Sequence, residues 1–156
     1  MPLLKTLQLH ANQISDAGMQ SLASAFADGA CRELEDLNLG GNKIGDAGVV
    51  ALAAAFEKGA LPALRDLNLW RNEFSSVGLK ALMTAAAGGG LAKLRLLNFH
   101  HCNMRNEHGT EGLEALVDAV DAGNLPSLTR LHVDEEHAQN QRLKAVCEKQ
   151  GVELFG

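Results

Sequence analysis

Leu34-Glu35-Asp36-Leu37-Asn38-Leu39, followed by Asn42 and then by Ile44-Gly45-Asp46-Ala47-Gly48, is one copy of a phrase that runs through the whole chain. In register with it lie Leu4-Lys5-Thr6-Leu7-Gln8-Leu9 with Asn12, and Leu64-Arg65-Asp66-Leu67-Asn68-Leu69 with Asn72. A fourth copy, Leu94-Arg95-Leu96-Leu97-Asn98-Phe99, has Cys102 where the others have asparagine. A fifth opens with Leu128-Thr129-Arg130-Leu131-His132-Val133. The copies start near 4, 34, 64, 94 and 128, at a spacing of 30 residues that lengthens to 34 at the last step. A period of this length marks a stack of supersecondary units, none of which buries its apolar face alone.

Within each copy the first, fourth and sixth residues are apolar. On a short strand they turn inward while the residues between them face out. An apolar anchor follows the asparagine: Ile14, Ile44, Phe74 and Met104. A helix comes next, with Asp16, Asp46, Ser76 and Thr110 as expected N-caps, each two residues before a glycine. Gly18, Gly48, Gly78 and Gly112 disfavour a helix interior, so their recurrence points to close approach of the helix to what lies beneath it. Leu22, Leu52, Leu82 and Leu116 follow at one helical turn, and Gly29, Gly59, Gly89 and Gly123 end each helix. Strands stack ~4.8 Å apart whereas helices need ~8–10 Å. The expected fold is therefore an α/β solenoid bent into a horseshoe arc, with parallel strands on its concave face and α-helices on its convex face.

The 156 residues suit a single repeat domain, 1–156, and 46% hydrophobic content suits a packed core. With 4% aromatic residues, that core falls to leucine and alanine. The net charge of −5 and the scatter of the 14 Lys and Arg speak against nucleic-acid or anionic-membrane binding. No apolar run is long enough to span a bilayer, and Met1-Pro2-Leu3-Leu4 enters the first copy with no room for a signal peptide. Cys31, Cys102 and Cys147 lie in different repeat contexts, and no asparagine starts a glycosylation acceptor. A cytoplasmic location is expected on these grounds.

Three irregularities stand out. Met1-Pro2-Leu3-Leu4 aligns with Leu61-Pro62-Ala63-Leu64, so the first copy starts where an upstream repeat hands over. The reading is an N-terminally truncated array or an apolar edge hidden in a partner, with end-to-end self-association as one outcome. Residues 134–156 read as a C-terminal cap: Asp134-Glu135-Glu136-His137 breaks the pattern, a helix is expected over 140–149, and Val152-Glu153-Leu154 has the makings of a last strand. The four extra residues of the fourth copy fall in Arg105-Asn106-Glu107-His108-Gly109, either a shaped binding loop or drift in a tolerant turn.

The phrase Leu34 to Leu39, then Asn42-Lys43-Ile44-Gly45-Asp46-Ala47-Gly48 and Leu52-Ala53-Ala54-Ala55-Phe56, resembles the ribonuclease-inhibitor-like class of leucine-rich repeats. The class also includes the sensor arrays of intracellular nucleotide-binding immune receptors and the Ran GTPase-activating protein. The resemblance covers essentially the whole chain. It implies an intracellular solenoid of alternating strands and full helices that binds proteins on its concave face or rims. The cysteine-rich pattern of ribonuclease inhibitor itself is absent.

Binding residues are sought on the outward strand positions and just beyond them. Gln8, Asn38, Asn68, Asn98 and His132 occupy one such column, and His10, Gly40, Trp70, His100 and Asp134 the next, with Arg71 beside the single tryptophan. Trp and Arg dominate interface hot spots, so a protein partner of unknown identity is expected around Trp70, Arg71 and His100. The competing reading is that Trp70 folds over neighbouring atoms. The asparagine column serves either the partner or the architecture. Cys102 reads as a buried structural thiol.

No enzyme is expected, and no cofactor or metal. No phosphate-binding glycine loop, Cys-x-x-Cys, His-Glu-x-x-His or nucleophile elbow occurs. His100, His101, Cys102, His132 and Asp134 gather metal-type donors, but adjacent histidines on a continuing strand would point to opposite sides. The alternative function is that of a regulator of a small GTPase, delivering Arg71 or Asn72 to a nucleotide site.

Overall fold

In a computed structural model, which describes residues 3–104 and 109–156, the chain forms a six-stranded, all-parallel sheet in the order β1-β2-β3-β4-β5-β6. The strands are β1 (Thr6–Gln8), β2 (Asp36–Asn38), β3 (Asp66–Asn68), β4 (Leu96–Asn98), β5 (Arg130–His132) and β6 (Glu153–Phe155). Helices α1 (Asp16–Ala27), α2 (Asp46–Glu57), α3 (Ser76–Ala87) and α4 (Gly109–Asp121) follow the first four, while α5 (Glu135–Ala138) and α6 (Gln141–Gln150) follow β5. Register pairs Leu7, Leu37, Leu67, Leu97, Leu131 and Leu154 across the sheet, so the repeat of the sequence is the repeat of the fold. The insertion at 105–109 lies essentially outside the described residues.

The core is the sum of the inward columns. Leu34, Leu37, Leu39, Ile44 and Leu52 are wholly buried, as are Leu67, Leu69, Phe74 and Leu82 one repeat on. At the edge strand β1, Leu4, Leu7 and Leu9 are only partly covered. Asn42 and Asn72 close the turns. The Asn42 amide donates to the carbonyls of Leu9 and Leu39 at 3.0 and 2.8 Å, and its Oδ1 accepts the N–H of Ile14 at 3.0 Å. Asn72 repeats the set with Leu39, Leu69 and Ile44. Each asparagine thus bonds its own repeat and the one before it, meeting the demand that buried backbone groups be paired. Cys102 keeps one such bond, Sγ–H to the Leu69 carbonyl at 3.3 Å. Burial pushes its thiol pKa up to about 12, which suits a structural thiol.

Two expectations about the helices need correction. The N-caps of α1, α2 and α3 are Ser15, Gly45 and Ser75, one residue earlier than predicted, and α4 already begins at Gly109. Asp16 and Asp46 cap the next repeat's helix instead of their own. Asp16 Oδ1 accepts the N–H groups of Gly45 and Gly48, and Asp46 Oδ1 those of Ser75 and Gly78, all at 2.8 Å. A carboxylate at a helix N-terminus meets unpaired N–H groups and the positive end of the dipole together.

This explains the helix glycines. A Cβ on Gly48 would lie 2.7 Å from Asp16 Oδ1 and 2.8 Å from Ile44 Cγ2, whereas one on Gly18 would meet only Ile14 Cγ2, at 3.1 Å. The close approach is to the preceding helix's carboxylate and to the apolar anchor in the turn beneath. Gly48→Ala should therefore lose about 1–3 kcal/mol through overpacking. Gly18→Ala should be neutral or gain up to about 1 kcal/mol from helix propensity. Urea melts of the two variants decide the matter, and equal effects would refute the packing argument.

Candidate functional site

The outward surface carries three columns. Where each strand begins stand Lys5, Glu35, Arg65 and Arg95. Glu35 bridges Lys5 and Arg65 at 3.1 Å each, which holds its carboxyl below the usual range. Next come Thr6, Asp36, Asp66, Leu96 and Arg130, directly opposed along the ladder. Asp36, Asp66, Arg65, Arg95 and Arg130 line a shallow concavity of about 380 Å³. Arg65 and Arg95 were not singled out from the sequence, although the column that holds them is visible once the repeats are aligned.

Asp36 and Asp66 are register neighbours. Burial first, and the Asp66 charge second, raise the Asp36 pKa, while a 3.1 Å bond from the Gln8 amide pulls the other way. A folded-state pKa above the unfolded one means that ionised Asp36 costs stability above its folded pKa, and that the cost vanishes below its unfolded pKa. Asp36→Asn keeps an acceptor for Gln8 and should raise the melting temperature at pH 7. The gain should shrink to nothing as the pH falls through the carboxylate range. A destabilised variant at neutral pH would contradict this.

The third column is that of the asparagines. Asn38, Asn68 and Asn98 accept, through Oδ1, the N–H groups of Gly40, Trp70 and His100 at 3.0–3.1 Å. These side chains are half-buried and shape the turn that ends each strand. Gln8 is exposed at the near edge. At the far end His132 stacks on Phe155, with ring centroids 4.4 Å apart at 11°. Burial, then Arg130 and His100, lower the His132 pKa. Phe155 is 40% exposed and extends this column on β6. Sequence reasoning missed it because the predicted strand stopped one residue short.

The residues just beyond the strands continue the ladder, with Ala11, Gly41 and Arg71 donating to the carbonyls of Gly40, Trp70 and His100. Ala11, Gly41, Arg71 and His101 all have φ between 52° and 67°, a left-handed turn shared by the repeats. His10 and Arg71 are exposed, and Trp70 and His100 are half-buried. Gly40 is buried because the indole of Trp70 lies in the space a side chain there would fill, with Nε1 and Cδ1 its nearest atoms. Trp70 does fold onto its neighbour, then, yet its outer face stays on the surface.

Three corrections follow. Asp134, expected on the open surface, is 6% exposed. Its Oδ1 accepts the His101 N–H at 2.7 Å. His100 and His101, expected on opposite sides, are stacked with centroids 3.9 Å apart, because His101 turns at φ 58°. Asn72, named as a group for delivery to a nucleotide, is 5% exposed and committed to backbone groups. No helix among the described residues is long and apolar enough to cross a membrane.

Parallel strands in single file, the first five followed by helices, with the turns after β2, β3 and β4 closed by the buried Asn42, Asn72 and Cys102, define an α/β leucine-rich-repeat solenoid. A family profile described as Leucine Rich repeat matches residues 1–23, 30–53 and 61–83. No curated protein matches the sequence significantly. Among solved structures, the chain is similar to one titled Leiomodin-1 Actin-Binding Site 2, with a TM-score of 0.76 and 15% identity. That likeness covers 96% of this chain and 80% of the other, and at this identity it speaks for the fold.

Proposed function

We propose that this chain is a non-enzymatic scaffold that binds a protein partner across the outward face of its sheet, centred on Trp70. The observation that carries the reading is the seating of the indole. Gly40 leaves a place for it and holds one rotamer, so little side-chain entropy remains to be lost when a partner covers its outer face. Arg71 and His100 flank it with polar contacts, and the Arg65, Arg95 and Arg130 concavity extends the surface. Strands alternating with three-turn helices support the ribonuclease-inhibitor-like class, and free cysteines, two of them buried, accord with a reducing cytoplasm.

The test is a comparison of wild type with Trp70→Ala, and with Arg71→Gly, which suits the left-handed turn. Cross-linking and mass spectrometry identify what wild type holds, and a titration then measures it. Actin is the first purified probe, since the structural neighbour carries an actin-binding title. Trp70→Ala should weaken the complex by about 2 kcal/mol or more while the fold stays intact. A partner bound equally by both variants would place the interface elsewhere.

A further inference from the structure

We infer that His100, His101 and Asp134 form a divalent-metal site of the zinc type at the rim of the sheet, beside Trp70. His100 Nε2 and His101 Nδ1 each lie 3.7 Å from Asp134 Oδ1. The three ligand atoms all fall within 4.8 Å of one another. A tetrahedral ion with bonds of ~2.0–2.1 Å holds its ligand atoms roughly 3.3 Å apart, so an ion would draw the two surface imidazoles out of their stack and turn their nitrogens toward a common point. Both rings already face the carboxylate, because the left-handed turn at His101 brings its side chain round to that of His100.

The carboxylate is what sets this cluster apart from a chance gathering of surface donors. Asp134 is buried, and among the described residues no Lys or Arg ion-pairs with it; its neighbours are imidazoles. A buried anion calls for a compensating cation. Oδ1 accepts one backbone N–H and has a lone pair left for a metal. On the other oxygen, His137 Nδ1 is buried, has no hydrogen-bond partner among the described residues and lies 4.0 Å from Oδ2. Such a group orients a ligating carboxylate in many metal sites, where it fixes the oxygen that faces the ion. Two imidazoles and a carboxylate suit Zn²⁺ or its Co²⁺ and Ni²⁺ analogues, and three protein ligands leave one position open to solvent. Cys102 takes no part, since its sulfur is buried and bonded to the Leu69 carbonyl.

The inference does not depend on the partner-binding reading, and its test needs no partner. Isothermal titration of the full chain with ZnCl₂ should show one ion per chain, together with a melting temperature that rises with zinc concentration. His101→Asn tolerates the left-handed backbone, and Asp134→Asn keeps the acceptor for the His101 N–H. Each variant should melt like wild type without metal, lose the zinc-dependent rise and bind zinc about tenfold more weakly or worse. His10→Asn should behave as wild type. With Co²⁺ the spectrum should lack a thiolate charge-transfer band. No zinc binding at micromolar concentrations, undiminished binding by the well-folded His101→Asn, or a thiolate band would each overturn the proposal.

Discussion

Asn72→Ala should destabilise the protein by about 3–5 kcal/mol. The substitution strands the N–H of Ile44 where water does not reach it, and takes one of two hydrogen bonds from each of the Leu39 and Leu69 carbonyls, which keep Asn42 and Cys102. The orphaned buried N–H costs ~1–3 kcal/mol and each of the two lost carbonyl bonds ~0.5–1.5 kcal/mol, and the three act as one network, so the total falls short of their sum. Asn12→Ala is the internal control. Its amide also bonds the Leu9 carbonyl, but on an exposed edge where water replaces it. There the loss should stay under about 1 kcal/mol. Equilibrium urea unfolding of both variants measures the contrast, and similar losses at the two positions would mean that the ladder is not what holds the turns.

Leu67→Ala should cost about 2–5 kcal/mol. Leu67 is wholly buried on β3, with a strand on either side and the helical layer behind, so the cavity has little freedom to collapse. Leu7→Ala, on the partly covered edge strand, should fall at or below the bottom of that range. The Leu67 variant also calibrates the tryptophan. If Trp70→Ala melts as low as Leu67→Ala, the indole belongs to the core and the proposed interface is misplaced.

The columns of the fold were legible because packing constraints recur at a fixed period. Leu34, Leu37 and Leu39 announce an inward face, and Asn42 its turn, from spacing alone. What escaped notice acts between repeats. Asp16 was assigned to its own helix because caps are local in sequence, yet the N–H groups it satisfies lie 29 and 32 residues away. The seat of Trp70 was half visible, since Gly40 stands in the same column one repeat earlier. The pairing of His100 with His101 was hidden because nothing in a histidine announces a positive φ; Gly41, in the same column, was the one sign of it. Burial of Asp134 follows from the break in the repeat after Val133, where periodicity no longer instructs.

The carboxylates that reach from one helix to the next make the array a chain of nearest-neighbour couplings, and such a chain opens at its weakest link. Asp16 joins the first repeat to the second and Asp46 the second to the third. At the third junction the position is Ser76, whose buried Oγ has no partner among the described residues, while Cys102 replaces the asparagine nearby. The first three repeats and the C-terminal portion are thus two blocks of unequal cohesion. Amide exchange should reveal them as separate cooperative units, with the boundary at α3 and α4.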